Sequence, residues 1–259
     1  MTKTQIMGIV NVTPDSFSDG NKYFAPDAAI KRVEEVFAQG ASLADIGAES
    51  TNPRSSSLTP DIEWDRLKPV LKQVFPKYDD KISIDSYHPE TIDKIARTFG
   101  NHFILNDVTG FNDPRMIKIV AAHGLRCIVS HLPAHVGADI HAAHAGKLID
   151  SVQIVRDELL ERYAQLCAAG VPADRIILDP GIGFGKTPEL NIQLLEFPKL
   201  LPGHAVMIGY SRKRFLGEDR FNVEVNLAAA RIAIAAGAAY LRVHDVAAHI
   251  GLVELSSNP

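Results

Sequence analysis

The sequence predicts a single (β/α)8 barrel with its active site at the C-terminal ends of the strands, and three observations support this. Eight short apolar segments recur along the 259 residues, each followed by polar or glycine-rich residues. Their apolar runs do not alternate with polar residues, as is typical of parallel strands covered on both faces. Helical patterns separate many of them. No linker or change of composition divides the chain, so residues 1–259 are expected to form one domain.

The apolar segments account for the strands in order. They are QIMGIVNV (5–12), SLADIGA (42–48), KISIDS (81–86), HFILNDV (102–108), RCIVSH (126–131), RIILDP (175–180), AVMIGYS (205–211) and AYLRVHD (239–245). A doubly wound open sheet is the competing architecture. Eight strand–helix units in about 250 residues favour closure into a barrel.

Apolar residues three and four positions apart predict helices between these strands. Thr59 and Pro60 fit an N-cap and a first helical position, and three of the patterns close on glycine. The predicted helices are 26–40, 59–75, 88–100, 152–170 and 226–238.

Composition and charge exclude several classes of protein. The formal net charge of −4 argues against a general nucleic-acid binder. No apolar run approaches the roughly 18 residues needed to span a bilayer, and the N-terminus lacks the pattern of a signal peptide. Two cysteines cannot form a disulfide framework. A protein of the reducing cytoplasm, with no membrane or nucleic-acid partner, is therefore expected.

Polar residues stand at the C-terminal ends of all eight predicted strands, where barrels of this kind carry their chemistry. Asp45 and Asp107 have the alternative role of holding loops. The residues are Asn11, Asp45 with Glu49, Asp85, Asn106 with Asp107, His131, Asp179, Ser211 with Lys213, and Arg242 with His244.

Two sets of these residues point to a ligand with two unlike parts. Asp85, Asn106 and Asp179 offer the acceptors that a flat heterocycle with adjacent ring N–H and amino groups needs. A structural role is the alternative for each alone. A second set, comprising Asn11, Lys213, Arg242 and His244, is suited to a phosphate or pyrophosphate.

The segment LDPGIGFGKTPE (178–189) is a near miss for a nucleotide-binding P-loop, because three residues rather than four separate Gly181 from Gly185. Its glycines are expected instead to let the backbone pass close to a flat ligand above Asp179. Phe184 then supplies an aromatic edge or packs in the core. The polar segments 11–20 and 49–60 are interpreted as lids or as plain connections. No pair of histidines has metal-ligand spacing on a convincing helix, so no zinc site is expected.

These motifs together resemble dihydropteroate synthase. The matching segments are GIVNVTPDSFSDG, DIGAEST, SIDS, LNDVTGFNDP, ILDPGIGFGKTPELN, GYSRKRFLG and RVHDV, which follow the family's order over almost the whole chain. The fold implied by the resemblance is again a (β/α)8 barrel. The reaction implied is the condensation of 6-hydroxymethyl-7,8-dihydropterin pyrophosphate with p-aminobenzoate, giving 7,8-dihydropteroate and pyrophosphate in folate biosynthesis.

The resemblance also implies a role for individual residues. Asp85, Asp179 and Lys213 would be catalytic, and the pterin would lie against these three together with Asn106 and Phe184. The pyrophosphate would be bound by Asn11, Arg242 and His244, with Mg²⁺ near Asn11. Loops carrying Asp15, Phe17, Ser50, Thr51 and Pro53, together with Arg214, would close over p-aminobenzoate. A homodimer is also implied.

The chain departs from the family pattern at four places. Asn52 stands where an arginine is common, Arg54 where a glycine is common, and Arg214 where many members carry serine. Ser130 replaces the usual methionine before His131, which changes the apolar wall of the expected pterin site. Two alternatives stay open: a non-catalytic pterin-binding paralogue, and a pterin-dependent methyltransferase barrel, which would have no use for both SRK and RVHD.

Overall fold

The computed structural model describes residues 3–12, 25–49, 57–136 and 147–255. Eight parallel strands close into a barrel in chain order, so the predicted fold is confirmed. The strands are β1 (Gln5–Asn11), β2 (Leu43–Gly47), β3 (Ile82–Asp85), β4 (Ile104–Asp107), β5 (Arg126–Ser130), β6 (Ile176–Asp179), β7 (Ala205–Ile208) and β8 (Tyr240–Val243). The helices in these residues are α1 (Ala25–Ala38), α2 (Pro60–Tyr78), α3 (Pro89–Phe99), α4 (Pro114–His123), α5 (Val152–Ala168), α6 (Pro188–Gln193), α7 (Val223–Ala235) and α8 (Val246–Leu255).

All eight predicted strands form, each one to three residues shorter than its apolar segment. Three helices, α4, α6 and α8, have no counterpart among the five predicted ones. α6 has only six residues, and α8 is apolar nearly all round, so neither presents a clear helical stripe. α7 begins at Val223, three residues before the predicted start, because the Asn222 side chain accepts a hydrogen bond from Glu224 N at 2.8 Å.

Helix α2 shows how local signals fix one element against the barrel. Thr59 Oγ1 accepts a hydrogen bond from Ile62 N at 3.4 Å, and Pro60 is the first helical residue, so the predicted N-terminus is confirmed. Such a cap stabilises a helix by about 1 kcal/mol. The buried stripe that packs on the sheet comprises Leu67, Val70, Leu71, Val74 and Phe75.

The interior of the barrel is layered, and an apolar floor fills its N-terminal half. Side chains alternate along a strand, so the residue two positions after each floor residue also points into the interior. These residues lie nearer the mouth, which is the open C-terminal end of the barrel. This polar layer holds Asp45, Asn106, Ser130, Asp179 and Arg242, with Asp85 placed likewise two residues beyond Ser83. The floor itself consists of Met7, Leu43, Ile104, Ile128, Ile177, Met207 and Tyr240.

Among the described residues, no helix is both long enough and apolar enough to cross a membrane. Cys127 and Cys167 are free thiols, the first of them buried on β5.

Candidate functional site

Arg242 spans the mouth of the barrel from β8 to two strands on the far side. Its Nε donates to Asp45 Oδ2 at 2.6 Å, and its Nη2 donates to Asp85 Oδ2 at 2.7 Å. Asn106 Nδ2 donates to the same Asp45 oxygen at 3.1 Å. Asp45 is completely buried, and its hydrogen-bond partners are Arg242 and Asn106 rather than loop atoms, so it does not hold a loop, the alternative role considered from the sequence. It anchors the guanidinium group instead.

Asp179 lies at the end of β6, and both of its carboxylate oxygens have partners. Oδ1 accepts from Gly181 N and Oδ2 accepts from Ser130 Oγ, each at 2.9 Å. Ser130 stands where the resemblance leads one to expect methionine, so a hydroxyl replaces part of the apolar wall. The carboxylate is thus fixed in one plane at the edge of the mouth.

Lys213 enters the site from the turn after β7. Its Nζ donates to Ile182 O at 2.5 Å and lies 4.9 Å from the centre of the Phe184 ring. Phe184 is buried in a small cluster with Val108 and Leu132. The ammonium group and the aromatic ring therefore form one wall of the mouth.

The glycine-rich loop after β6 makes its closest approach to protein rather than to open space. A Cβ at Gly181, where φ is 62°, would lie 2.1 Å from His131 O, and one at Gly183 would lie 3.2 Å from the Lys213 side chain. The sequence-based expectation that the glycines make room for a ligand is thus incomplete. They first admit the β5 backbone and Lys213.

Lys186 holds this loop from inside. Its Nζ donates to three carbonyl oxygens: Gly181 at 2.8 Å, Phe184 at 3.0 Å and His131 at 3.2 Å. The side chain is 4% exposed, so these oxygens replace water around the ammonium group. Lys186 does not stand out in the sequence, where it belongs to the segment that nearly matches a nucleotide-binding motif.

His244 and Asn11 lie at the same rim. His244 Nδ1 is 3.0 Å from Ser211 Oγ, and its backbone carbonyl accepts from Arg32 Nη2 at 2.7 Å. Asn11 is the last residue of β1 and is exposed. The predicted anion-binding residues on β1, β7 and β8 therefore share one end of the barrel.

Burial and like charges shift the pKa values of the site. Burial, reinforced by Arg242, lowers the pKa of Lys213 to about 8. Burial together with the surrounding cations lowers the pKa of His244 to about 3, which leaves a neutral imidazole. Burial also raises the pKa of Asp85, against the opposing effect of Arg242.

Two predicted strand-end residues do not face the mouth. Asp107 and His131 each stand one position after a residue of the polar layer, so they point outward. Asp107 accepts hydrogen bonds from the backbone N and hydroxyl of Thr109 and from Phe111 N, so it holds the turn after β4. His131 Nε2 is 3.0 Å from Glu158 Oε2 on α5.

A second polar group lies beside β2 and β3. The ligand atoms of Glu49, Glu63 and His88 lie within 4.8 Å of one another, which is close enough for a metal ion. Internal contacts account for much of the group, because His88 Nε2 is 3.0 Å from Glu49 Oε2 and Ser86 Oγ donates to Glu63 at 2.9 Å. Sequence spacing could not reveal it, since its members come from three separate segments. We assign it no role in binding.

The remaining predicted site residues belong to the loops after β1 and β2 or to the turn after β7. Five lie outside the described residues: Asp15, Phe17, Ser50, Thr51 and Pro53. Arg214 is exposed at the start of a short turn, Arg214–Leu216. Arg212 is exposed too, with a left-handed φ of 60°, and its backbone N donates to Asn226 Oδ1 at 3.0 Å.

The mouth is prepared for a ligand rich in hydrogen-bond donors. Asp45 Oδ1 and Asn106 Oδ1 are buried and have no hydrogen-bond partner within the described ranges. Buried acceptors without donors are unfavourable, so such atoms indicate a site that a ligand completes. Beside them, Arg242 and Lys213 offer positive charge. The arrangement suits a heterocycle that carries an anionic group.

Comparison with known proteins agrees with this chemistry. The family model described as "Pterin binding enzyme" matches residues 7–244. A dihydropteroate synthase type-2 of Escherichia coli is 38% identical over 93% of this chain and 90% of its own length. The chain spans about half the length of the Arabidopsis thaliana folate synthesis bifunctional proteins that it matches, 47% and 56% of them.

Solved structures are similar over nearly the whole chain. The Xanthomonas albilineans dihydropteroate synthase with 4-aminobenzoic acid superposes with a TM-score of 0.86 at 33% identity, covering 99% of this chain and 94% of that one. The same enzyme in complex with 7,8-dihydropteroate gives a TM-score of 0.82 at 32% identity, over 99% and 95%.

Proposed function

The chain belongs to the family of pterin-binding enzymes, and on that premise we propose that it is a dihydropteroate synthase. It condenses 6-hydroxymethyl-7,8-dihydropterin pyrophosphate with p-aminobenzoate to give 7,8-dihydropteroate and pyrophosphate. The observation that carries the proposal is the pairing, in one barrel mouth, of acceptors at Asp85, Asn106 and Asp179 with cations at Lys213 and Arg242.

The acceptors are assigned to the pterin. The Asp179 carboxylate accepts two parallel N–H bonds from the ring edge, a geometry that favours charged acceptors. The unpartnered Asn106 Oδ1 accepts a further N–H. Phe184 and the Lys213 side chain cover one side of the ring.

The cations are assigned to the pyrophosphate. Arg242 can turn one edge of its guanidinium group to a phosphate while Asp45 keeps hold of Nε. His244 and Asn11 complete this side of the rim. Arg242 donates to Asp85, so a bound pyrophosphate competes for the guanidinium and leaves the Asp85 carboxylate to the pterin.

Mg²⁺ fits the oxygen donors at the rim. The ion binds few protein groups and keeps several waters and phosphate oxygens. Asn11 offers one exposed amide oxygen, and the pyrophosphate and water would supply the rest. When bound there, the ion would neutralise charge that develops on the leaving group.

In the reaction, the bond from the pterin methylene carbon to the pyrophosphate oxygen breaks and the electron pair leaves with pyrophosphate. Asp85 and Asp179 stabilise the positive charge shared by the methylene and the ring. The amine of p-aminobenzoate forms the new C–N bond and gives up a proton to solvent. Holding the amine in line contributes through orientation.

The p-aminobenzoate end of the site involves residues outside the described ranges: Asp15, Phe17, Ser50, Thr51 and Pro53. Arg214, exposed after β7, is proposed to meet the carboxylate of this substrate. If so, Arg214→Ser raises KM for p-aminobenzoate and leaves KM for the pterin substrate unchanged. Equal changes in both would exclude this role.

The deciding experiment measures pyrophosphate release from the purified protein with both substrates. Asp179→Asn serves as the matched variant and should lose pterin binding, because an amide has one acceptor oxygen and its NH2 group cannot accept the second of two parallel N–H bonds. Tight pterin binding without pyrophosphate release would instead indicate a non-catalytic pterin-binding protein.

Two wider expectations belong to the same proposal. A homodimer stays a prediction, and the molar mass in solution tests it. A cytoplasmic location fits two free thiols.

A further inference from the structure

Ser130 occupies a distinctive position inside the barrel. It ends β5, two residues beyond the floor residue Ile128, and pairs in register with Asp179 on β6. The side chain is 1% exposed, and its hydroxyl donates to Asp179 Oδ2 at 2.9 Å. It is therefore a buried hydroxyl aimed at the carboxylate to which the proposed function gives the pterin ring.

The Asp179 carboxylate is held at two points on opposite oxygens. Gly181 N occupies one lone pair of Oδ1, and Ser130 occupies one lone pair of Oδ2. Each oxygen keeps a second lone pair for a ligand. A carboxylate that accepts two parallel N–H bonds must lie in the plane of its donors, so the orientation of this group matters for affinity.

Two nearby lysines attract the Asp179 carboxylate, so a hydrogen bond that restrains its orientation is needed. The ammonium groups of Lys186 and Lys213 both interact electrostatically with Asp179. Without the hydroxyl, Gly181 N would be the one remaining donor among the described residues to oppose rotation of the carboxylate toward these cations. Neither ammonium group donates to Asp179 directly, since each donates to backbone carbonyl oxygens.

We propose that Ser130 is a positioning residue that fixes the Asp179 carboxylate in the plane required for pterin recognition. The inference rests on the proposed function, because the pterin is the ligand assigned to Asp179. The effect of Ser130 is exerted on pterin affinity and not on p-aminobenzoate, which binds nearer the rim.

The chain provides a matched control in Ser83. This serine is also fully buried inside the barrel, on β3, but its Oγ has no hydrogen-bond partner among the residues that the structure describes. Ser83→Ala and Ser130→Ala remove the same atom from the same kind of environment. Only the second removes a hydrogen bond to a carboxylate.

The experiment compares wild type, Ser130→Ala, Ser130→Thr and Ser83→Ala, all as full chains. Steady-state kinetics give KM for both substrates, and calorimetric titration gives Kd for 6-hydroxymethylpterin alone. Ser130→Ala should raise KM for the pterin substrate and the pterin Kd about tenfold, the usual effect of losing a hydrogen bond to a charged group. Its KM for p-aminobenzoate should not change. Ser130→Thr should restore affinity, and Ser83→Ala should match wild type.

Each other outcome has a definite meaning. Wild-type pterin affinity in Ser130→Ala overturns the inference, as does an equal rise of KM for both substrates. If the wild type binds pterin but releases no pyrophosphate, the proposed function fails, while the pterin titration still tests Ser130. If Ser130→Ala does not fold, Ser130→Cys takes its place, since it keeps the volume and donates only weakly.

Discussion

At the scale of single residues, Asp45 shows how much one buried carboxylate organises. It is fully buried, anchors Nε of Arg242 and also receives the amide of Asn106. Arg242 is 20% exposed in its side chain, so the ion pair is only partly shielded from water. Removing one partner of such a pair costs stability because the other charge is left poorly solvated.

Asp45→Asn should therefore destabilise the protein by about 3 kcal/mol, as expected for breaking a buried pair from one side. Urea denaturation measures the change. Asp61→Asn is the control, since Asp61 is 84% exposed in its pair with Lys94 and such pairs contribute under about 1 kcal/mol. Similar losses in the two variants would contradict the importance given to Asp45.

Lys213 gives the site a pH dependence whose direction follows from its lowered pKa. The group is a cation below about pH 8 and neutral above it. The value of kcat/KM for the pterin substrate should thus fall about tenfold per pH unit above 8, since this ratio reports the free enzyme. In Lys213→Arg the side chain stays charged, so the ratio should be lower but flat to about pH 10. A limb near pH 8 that persists in this variant would assign it to another group.

At the scale of elements, the loop between β6 and α6 depends on a buried lysine side chain. Lys186 joins three carbonyl oxygens, two from the loop and one from the end of β5. Asn191 on α6 accepts from Gly183 N at 2.7 Å and supports the same loop from its other end. The loop that carries Phe184 is thus braced against the neighbouring strand and helix.

Lys186→Met keeps the length of the side chain but leaves three carbonyl oxygens without their donor. We expect a loss of about 2–4 kcal/mol, several times the net value of one hydrogen bond. Thermal and urea unfolding measure it, and pterin affinity should fall as the loop loosens. Lys199→Met is the control, because Lys199 is largely exposed and pairs with Glu196 on the surface. Unchanged stability in Lys186→Met would show that the loop holds its shape without the ammonium group.

At the scale of the whole molecule, strands from all around the barrel contribute to one mouth, so a bound ligand stabilises the entire fold. A ligand at 100 times its Kd contributes about 2.7 kcal/mol. For a chain of this length we expect Tm to rise by about 5–10 °C with the pterin substrate.

Removal of magnesium should distinguish the binding of the pyrophosphate group from the binding of the pterin ring. EDTA should reduce the rise in Tm caused by pyrophosphate and leave the rise caused by 6-hydroxymethylpterin unchanged. Differential scanning calorimetry measures both. An equal effect of EDTA on the two ligands, or none on either, would argue against Mg²⁺ at the pyrophosphate.

The barrel and the strand ends that carry the candidate site could be predicted from sequence, but the facing of individual side chains could not. Apolar segments locate strand ends only to within one to three residues, whereas side chains change face at every residue. Asp45 and Asp107 were both given the alternative role of holding a loop, although Asp45 faces the mouth and only Asp107 holds a turn. His131 was predicted at a strand end where Ser130 in fact points inward. The bonds of Arg242 to β2 and β3 join distant segments and leave no local pattern.

The apolar floor closes the N-terminal end of the barrel, so ligands enter and leave the site through the rim at the C-terminal end. The acceptors proposed for the pterin lie in the polar layer next to this floor, and a molecule bound first at the rim would block access to them. Arrivals are thus expected in a compulsory order, with the pterin substrate ahead of p-aminobenzoate. The same geometry sets the order of departure, because the condensed product has to leave before the next pterin can reach Asp179.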